Sequence, residues 1–346
     1  MQRYKQRFSL FTILLLLTTA AAAQTKQTNQ IDSLMKWSSR IGIFNGNVLV
    51  ARNNKILYNA SFGFADAAKT TKLTTDSRFN IGSITKEFSA AALLQLQEQG
   101  RLKLDDKVSR FIPELPAWAN EVSIRDLLRY TSGLPNVSWK TIKNDEDLFN
   151  GLKRIDTLDF KPGTQYDYNN NNIFLRQFIV ERLTGMPFKA YAERFLFKPC
   201  KMEASVMTPF EHEKDIALGF NNNLVQDKPD LPITGGTYLT TADLLKWAEC
   251  LHSKKVVNKN SLYEMGQQFD QQGTQSALGQ ATFKGRNMIA HLHDGRAGNY
   301  EALLVSDIDE KITIILLGNN HNGKVFELSD AIMAILKGQE YSLPKK

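Results

Sequence analysis

A chain of 346 residues, 42% hydrophobic and 23% charged, is long enough to bury a large core and too rich in apolar residues to be disordered or fibrous. Its formal charge is +7, but Arg3, Lys5 and Arg7 supply three of those charges with no acid among the first 23 residues, so +4 remains beyond them. No long Lys/Arg run and no basic stripe interleaved with aromatics is present, which excludes the usual nucleic-acid footprint.

The first residues read as a secretory signal. After the positive start, Phe8 to Leu17 form a short apolar run, and Ala20 to Ala23 supply small residues for cleavage before Gln24. The run is too short to span a bilayer comfortably, and no Cys follows it to carry a lipid. Residues 1–23 are therefore expected to be removed, leaving no stable membrane span and a protein in the periplasm or outside the cell. Export would permit a disulfide between Cys200 and Cys250. Two buried thiols fit the sequence at least as well.

From Gln30 to Arg40, Ile31, Leu34, Met35 and Trp37 give a helical apolar face. Two strands are expected next, Gly46–Arg52 and Lys55–Phe64, with Asn53-Asn54 as a tight turn. The middle of the chain reads as helical. Ile84–Gln99 ends at Gly100; Ser123 can cap Ile124–Tyr130; Asn172–Leu183 runs into Thr184-Gly185; and Thr241 can cap Ala242–His252. Strand patterns return at Ala277–Phe283, Asn287–His293, Tyr300–Ser306 and Lys311–Leu317, followed by a helix over Val325–Leu336. Strands from both ends can pair into one antiparallel sheet, with the end helices on one face and the helical middle against the other. The expected class is α/β in the α+β sense. One domain spans 24–346, with a sheet part from about 24–80 and 275–346 and a helical part of about 81–274.

Three segments can carry chemistry. Ser83-Ile84-Thr85-Lys86 follows a turn with glycine and opens an apolar helix. There the serine hydroxyl meets unpaired N–H groups, and the lysine lies over the same face. A desolvated Lys86 loses its proton more readily and can take one from Ser83. Two other Ser-x-x-Lys pairs, Ser33–Lys36 within a helix and Ser342–Lys345 in the tail, lack that setting. Tyr168-Asn169-Asn170 follows the turn Pro162-Gly163-Thr164. Beside Lys86 the Tyr168 phenolate would be favoured, and Asn170 can give its amide to a substrate carbonyl and its oxygen to Lys86. His293-Asp294-Gly295 ends a strand. Gly295 permits close approach, and the N–H of Arg296 can join that of Ser83 around an oxyanion. His291 and His293 share a strand face, yet no further ligands stand at a persuasive spacing, so no metal is expected. No Gly-x-Ser-x-Gly elbow, Walker loop or dinucleotide fingerprint occurs.

In this order the segments resemble the class C β-lactamases and penicillin-binding-protein-like serine hydrolases over nearly the whole mature chain. Phe79-Asn80-Ile81-Gly82-Ser83-Ile84-Thr85-Lys86 is similar to the nucleophile segment of that family. Ile124-Arg125-Asp126-Leu127-Leu128 with Thr131-Ser132-Gly133-Leu134-Pro135, the Tyr168 segment, Gly235-Gly236 before Thr240-Thr241-Ala242-Asp243-Leu244, and His293-Asp294-Gly295 resemble its other signatures. The resemblance implies the β-lactamase/transpeptidase-like fold, with an antiparallel sheet, flanking terminal helices and a mainly helical domain. It implies an acyl-enzyme on Ser83, a base role shared by Lys86 and Tyr168, an oxyanion held by Ser83 and Arg296, release by water with Tyr168 as base, and no cofactor. The implied substrate is an ester, an amide or a D-amino-acid peptide. A D-alanyl-D-alanine carboxypeptidase, a weak β-lactamase and a catalytically silent binder of wall fragments are the alternatives. One departure matters: relatives that act on β-lactams carry Lys-Thr-Gly where this chain has His293-Asp294-Gly295. Histidine is mostly neutral at pH 7 and offers no permanent cation to a substrate carboxylate. Arg296 is the candidate to supply one.

Overall fold

The computed structural model describes residues 24–136, 142–208, 213–227, 236–270 and 273–346. The expected leader and Gly235 lie outside them. Helix α1, residues 24–40, leads into the hairpin of β1 (Gly46–Arg52) and β2 (Lys55–Phe62). Asn53 and Asn54 turn it with φ of 52° and 59°, the left-handed pair that a two-residue hairpin turn needs and that asparagine tolerates. After the short β3 (Phe79–Asn80) a 3₁₀ turn over Gly82–Thr85 feeds α2 (Lys86–Glu98).

The middle of the chain supplies α3 (Ile124–Arg129), α4 (Asp145–Leu152), α5 (Asn170–Thr184), α6 (Phe188–Ala192), α7 (Thr241–His252) and α8 (Lys259–Met265). It also holds β4 (Val206–Met207) and β5 (Thr237–Leu239), which form a small sheet in the order β3-β5-β4. The large sheet is completed by β6 (Gln280–Lys284), β7 (Asn287–Ala297), β8 (Tyr300–Asp307) and β9 (Ile312–Gly318), before the closing helix α9 (Val325–Lys337).

All pairings in the six-stranded sheet are antiparallel, in the order β2-β1-β9-β8-β7-β6. Strand periodicity sorts its side chains into two cores. Val48, Val50, Leu303, Ile314 and Leu316 meet Ile31, Leu34 and Met35 of α1 and Leu328, Ile332 and Ile335 of α9. Leu49, Ala51, Ala302, Leu304, Ile315 and Leu317 face the other way, into the core of the helical middle. The α+β architecture expected from the sequence is the one found. Among the described residues no helix is long and apolar enough to cross a membrane.

Several local expectations shift. Thr240, not Thr241, caps α7, its Oγ1 accepting from Asp243 N at 3.1 Å. Ser123 caps α3 in a reciprocal box with Asp126. The edge strand begins at Gln280 rather than Ala277, because Ser276 and Gly279 close a tight turn first. His293-Asp294-Gly295 does not end a strand. β7 continues to Ala297, because β8 pairs with it as far as Tyr300. Cys200 and Cys250 are joined as a disulfide, tying the turn after α6 to α7.

Candidate active site

The glycine-bearing turn at Gly82 brings Ser83 against β7. Gly82 has φ of +52°, and a Cβ there would lie 2.4 Å from Arg296 N. At Gly295 a Cβ would lie 2.0 Å from Ile81 O and 3.0 Å from Ser83 N. Only two glycines let these backbones touch, and the contact sets the N–H of Ser83 beside that of Arg296. Ser83 lies at the start of its 3₁₀ turn, where backbone donors have no intrahelical acceptor.

Lys86 begins α2 and is half-buried. Its Nζ donates to Ser83 Oγ at 2.9 Å and stands 5.0 Å from the centroid of the Tyr168 ring. Burial brings the Lys86 pKa down to about 8; Arg176 adds to this, while Tyr130 and Asp294 oppose it. Burial pushes Tyr168 up to about 12, with Ser83 and Arg176 pulling back only in part. Burial thus works against the expected Tyr168 phenolate. Desolvation disfavours the charged form of both groups, leaving a neutral phenol beside an amine that readily sheds its proton. The Tyr168 hydroxyl is buried, with Ser83 as its polar neighbour.

The asparagine run is mostly structural. Asn169 caps α5 by accepting from Asn171 N at 2.8 Å and reaches Leu134 O at 2.5 Å. Asn171 holds Pro135 O at 2.8 Å, and Asn172 holds Asn169 O at 3.0 Å. Asn170, half-buried at the first turn of α5, does not form the expected bond to Lys86. Ser33, in α1, donates to Asn29 O in the ordinary helical way.

His293 does not stand alone. Its Nδ1 is 2.6 Å from Glu87 Oε1, and His291 Nε2 is 3.2 Å from the same oxygen. Trp247 donates to Glu87 Oε2 at 2.6 Å, and His252 Nε2 is 3.1 Å from His291 Nδ1. An ionised carboxylate only accepts, which places protons on His293 Nδ1 and His291 Nε2. Of His252 Nε2 and His291 Nδ1, one donates to the other. Burial drives Glu87 upward, but His291 and His293, as nearby charge and as donors, outweigh it and hold the carboxyl well below its usual range. The donor atoms of Glu87, His291 and His293 lie within 4.8 Å of one another, close enough to meet on a metal. The hydrogen bonds just described already engage each of them.

Sequence reasoning found the histidine pair and noted Tyr130 where relatives often have histidine, without giving it a role, but missed Glu87, His252 and Arg176. The available signals were a carboxylate ahead of the buried run Phe88–Leu94 and an arginine within the apolar middle of α5. Asp294, half-buried on β7, acts on both Lys86 and Tyr168 and is in no ion pair. Arg296 is exposed and likewise forms none with the described residues. Beyond Leu292 the strand is paired with β8 but no longer with β6.

A family model described as Beta-lactamase matches residues 28–337. Protein flp of Staphylococcus aureus (strain MW2) is 26% identical over 340 residues, covering 90% of this chain and 67% of that protein. Among solved structures, a class C β-lactamase superposes with a TM-score of 0.76 at 21% identity, over 92% of this chain and 98% of that one. The D-amino acid amidase from Ochrobactrum anthropi SV3, solved with L-phenylalanine, gives 0.73 at 22% identity, over 90% and 98%.

Proposed function

The chain belongs to the β-lactamase family, and from that premise we propose that it is an exported serine hydrolase, forming an acyl-enzyme on Ser83 and cleaving an ester, an amide or a D-amino-acid peptide bond. The observation that carries this reading is the 2.9 Å contact between Ser83 Oγ and a half-buried lysine whose pKa is brought down to about 8. Neutral Lys86 takes the Ser83 proton as Oγ attacks the carbonyl carbon. The adjacent N–H groups of Ser83 and Arg296 receive the developing oxyanion. Lys86 returns the proton to the leaving group, with the Tyr168 hydroxyl as donor between them. Water then attacks the acyl-enzyme with Lys86 again as base, since Tyr168 keeps its own proton.

Three features support the finer reading. The signal-like first 23 residues and the Cys200–Cys250 disulfide favour an oxidising compartment outside the cytoplasm. The β7 edge beyond Leu292, next to Ser83, accepts an extended acyl or peptide group by strand addition. His293 spends its Nδ1 proton on Glu87 and Asp294 brings a carboxylate, so the His293-Asp294-Gly295 segment itself offers no cation, and the one that follows it on β7, Arg296, is exposed. This weighs toward neutral esters and amides, as in the amidase neighbour, and away from the carboxylate-terminated substrates of a D-alanyl-D-alanine carboxypeptidase.

The test is the intact mass of the mature protein after exposure to a penicillin, a p-nitrophenyl ester and a fluorophosphonate, with Ser83→Ala alongside. One adduct, absent from the variant, is expected with the ester and the fluorophosphonate. No adduct from any probe on a folded protein overturns the reading in favour of a silent binder. D-alanine release from a wall peptide would instead establish the carboxypeptidase.

A further inference from the structure

Arg176, in the middle of α5, is completely buried. A buried guanidinium ordinarily brings a carboxylate with it, but among the described residues none is bonded to this one. Nε donates to Leu127 O at 2.9 Å, while Nη2 donates to Leu127 O and, at 3.2 Å, to Leu128 O. Half of the fork thus satisfies the last carbonyls of α3, at the negative end of that helix. The other half points elsewhere. Nη1 is buried with no acceptor in ideal geometry among the described residues, and the buried Tyr130 hydroxyl is the polar group this guanidinium acts on.

Cζ of Arg176 lies 4.8 Å from the centroid of the Tyr130 ring, a cation–π contact. Tyr130 lies 4.8 Å from Tyr168, centroid to centroid, and Lys86 Nζ is 5.0 Å from the far ring. Two cations are therefore separated by two phenol rings and by no carboxylate. Tyr130 occupies this place because the end of α3 turns left-handed there, at φ of 58°.

We propose that Arg176 supplies, from α5, the fixed positive charge that the His293-Asp294-Gly295 segment does not, and that through the two tyrosines it keeps Lys86 in its proton-accepting form. The proposal rests on Ser83 and Lys86 being nucleophile and base. Arg176 acts as a positioning residue and touches no substrate. A guanidinium does not lose its proton in proteins, and buried charge is poorly screened, so it disfavours a second cation nearby. The groups facing Lys86 are Ser83 on its own turn, Tyr168 ahead of α5, Tyr130 at the end of α3, Arg176 on α5 and Asp294 on β7. Glu87 is turned instead to His291 and His293. Of those facing Lys86, only Arg176 is a permanent cation. It favours the neutral amine, in opposition to Tyr130 and Asp294.

The experiment is the pH dependence of Ser83 acylation by a p-nitrophenyl ester in wild type, Arg176→Gln and Arg176→Lys, with adduct mass and thermal melting recorded for each. Both variants lose the fork on α3, but only Gln loses the charge. Arg176→Gln is expected to move the midpoint alkaline by about one pH unit, about tenfold slower well below the midpoint, while Arg176→Lys keeps the wild-type midpoint. Equal midpoints in Gln and wild type, or equal shifts in Gln and Lys, overturn the proposal. Should the variants not fold, wild type alone decides. A midpoint unchanged between low and molar salt is the result a buried Arg176 requires, and one that climbs with salt assigns the role to an exposed charge such as Arg296 and overturns it. Wild type that is not acylated on Ser83 overturns the reading of the site itself, a result distinct from any of these.

Discussion

Under α1 and α9 the large sheet meets hydrocarbon: Val48, Val50, Ile314 and Leu316 against Leu34, Leu328 and Ile332, all fully buried. On its other face, at the β7 end, the same sheet meets a buried carboxylate, two buried histidines and the ammonium of Lys86. The first contact is non-directional and tolerates any apolar filling of about the right volume. The second is directional. Every proton must be assigned, because an unpartnered charge in that setting costs far more than a missing methyl group. One face therefore only holds the fold, and the other, apolar over β1 and β9, gives up part of its stability at the β7 end to hold a set of charge states.

The comparison breaks most sharply at Lys86. Lys86→Ala should slow Ser83 acylation about 10³-fold with a melting temperature close to wild type, checked by single-turnover kinetics beside calorimetry. Ile332→Ala on α9 should do the reverse. Loss of a fully buried isoleucine should destabilise by about 2–5 kcal/mol, read from urea unfolding, while acylation by the remaining folded protein is unchanged. If Ile332→Ala slowed the chemistry as strongly as it weakened the fold, the two faces would not be separable.

Acid should sharpen the contrast further. His252 is held neutral, with a pKa lowered from 6.5 to about 3, chiefly by burial and then by His291. As pH falls from 6.5 to about 3, the unfolded chain binds a proton there that the folded chain refuses, so stability declines through that window. Glu87, with its folded pKa depressed, adds a loss in the same direction, beginning near the ordinary 4.5 and continuing below it. Urea midpoints at pH 7, 5.5, 4 and 3 should fall progressively. Glu87→Gln should be weaker at pH 7 and flatter below 4.5, and a stability flat from pH 7 to 4 would contradict the hydrogen-bonded assignment of the network.

The apolar face was largely legible in the sequence, because helical spacing in Val325–Leu336 and the short apolar runs of β1 and β9 are local patterns. Ser83 and Lys86 were legible too, three residues apart at a helix start. The rest depends on distant partners. Glu87 stands 204 and 206 positions from its histidines, and nothing near either end announces the match. The Cys200–Cys250 bridge is 50 residues wide, with thiol and disulfide equally compatible with the flanking sequence. The burial that opposes a Tyr168 phenolate was not legible, because a motif names a neighbour but not how much water surrounds it. Likewise β7 was cut short at His293 because its continuation is fixed by pairing with β8 rather than by its own side chains.

The adjacency of β1 and β9 has a consequence for how the molecule is made. Gly46 pairs with Gly318, so the centre of the sheet joins positions near the two ends of the chain, and the whole helical middle is the loop that this pairing closes. The entropy of closing such a loop is met before the central contacts can return anything. A nascent chain can fold its helices early, but β1 and β2 remain an unfinished hairpin with an open edge until β9 arrives. Slow folding is the expected result, with a transient species exposed to strand-to-strand association. Ser83 and Lys86 are synthesised early, yet β7, whose backbone completes their site, comes in the last fifth of the chain, so catalytic competence waits for the end of assembly.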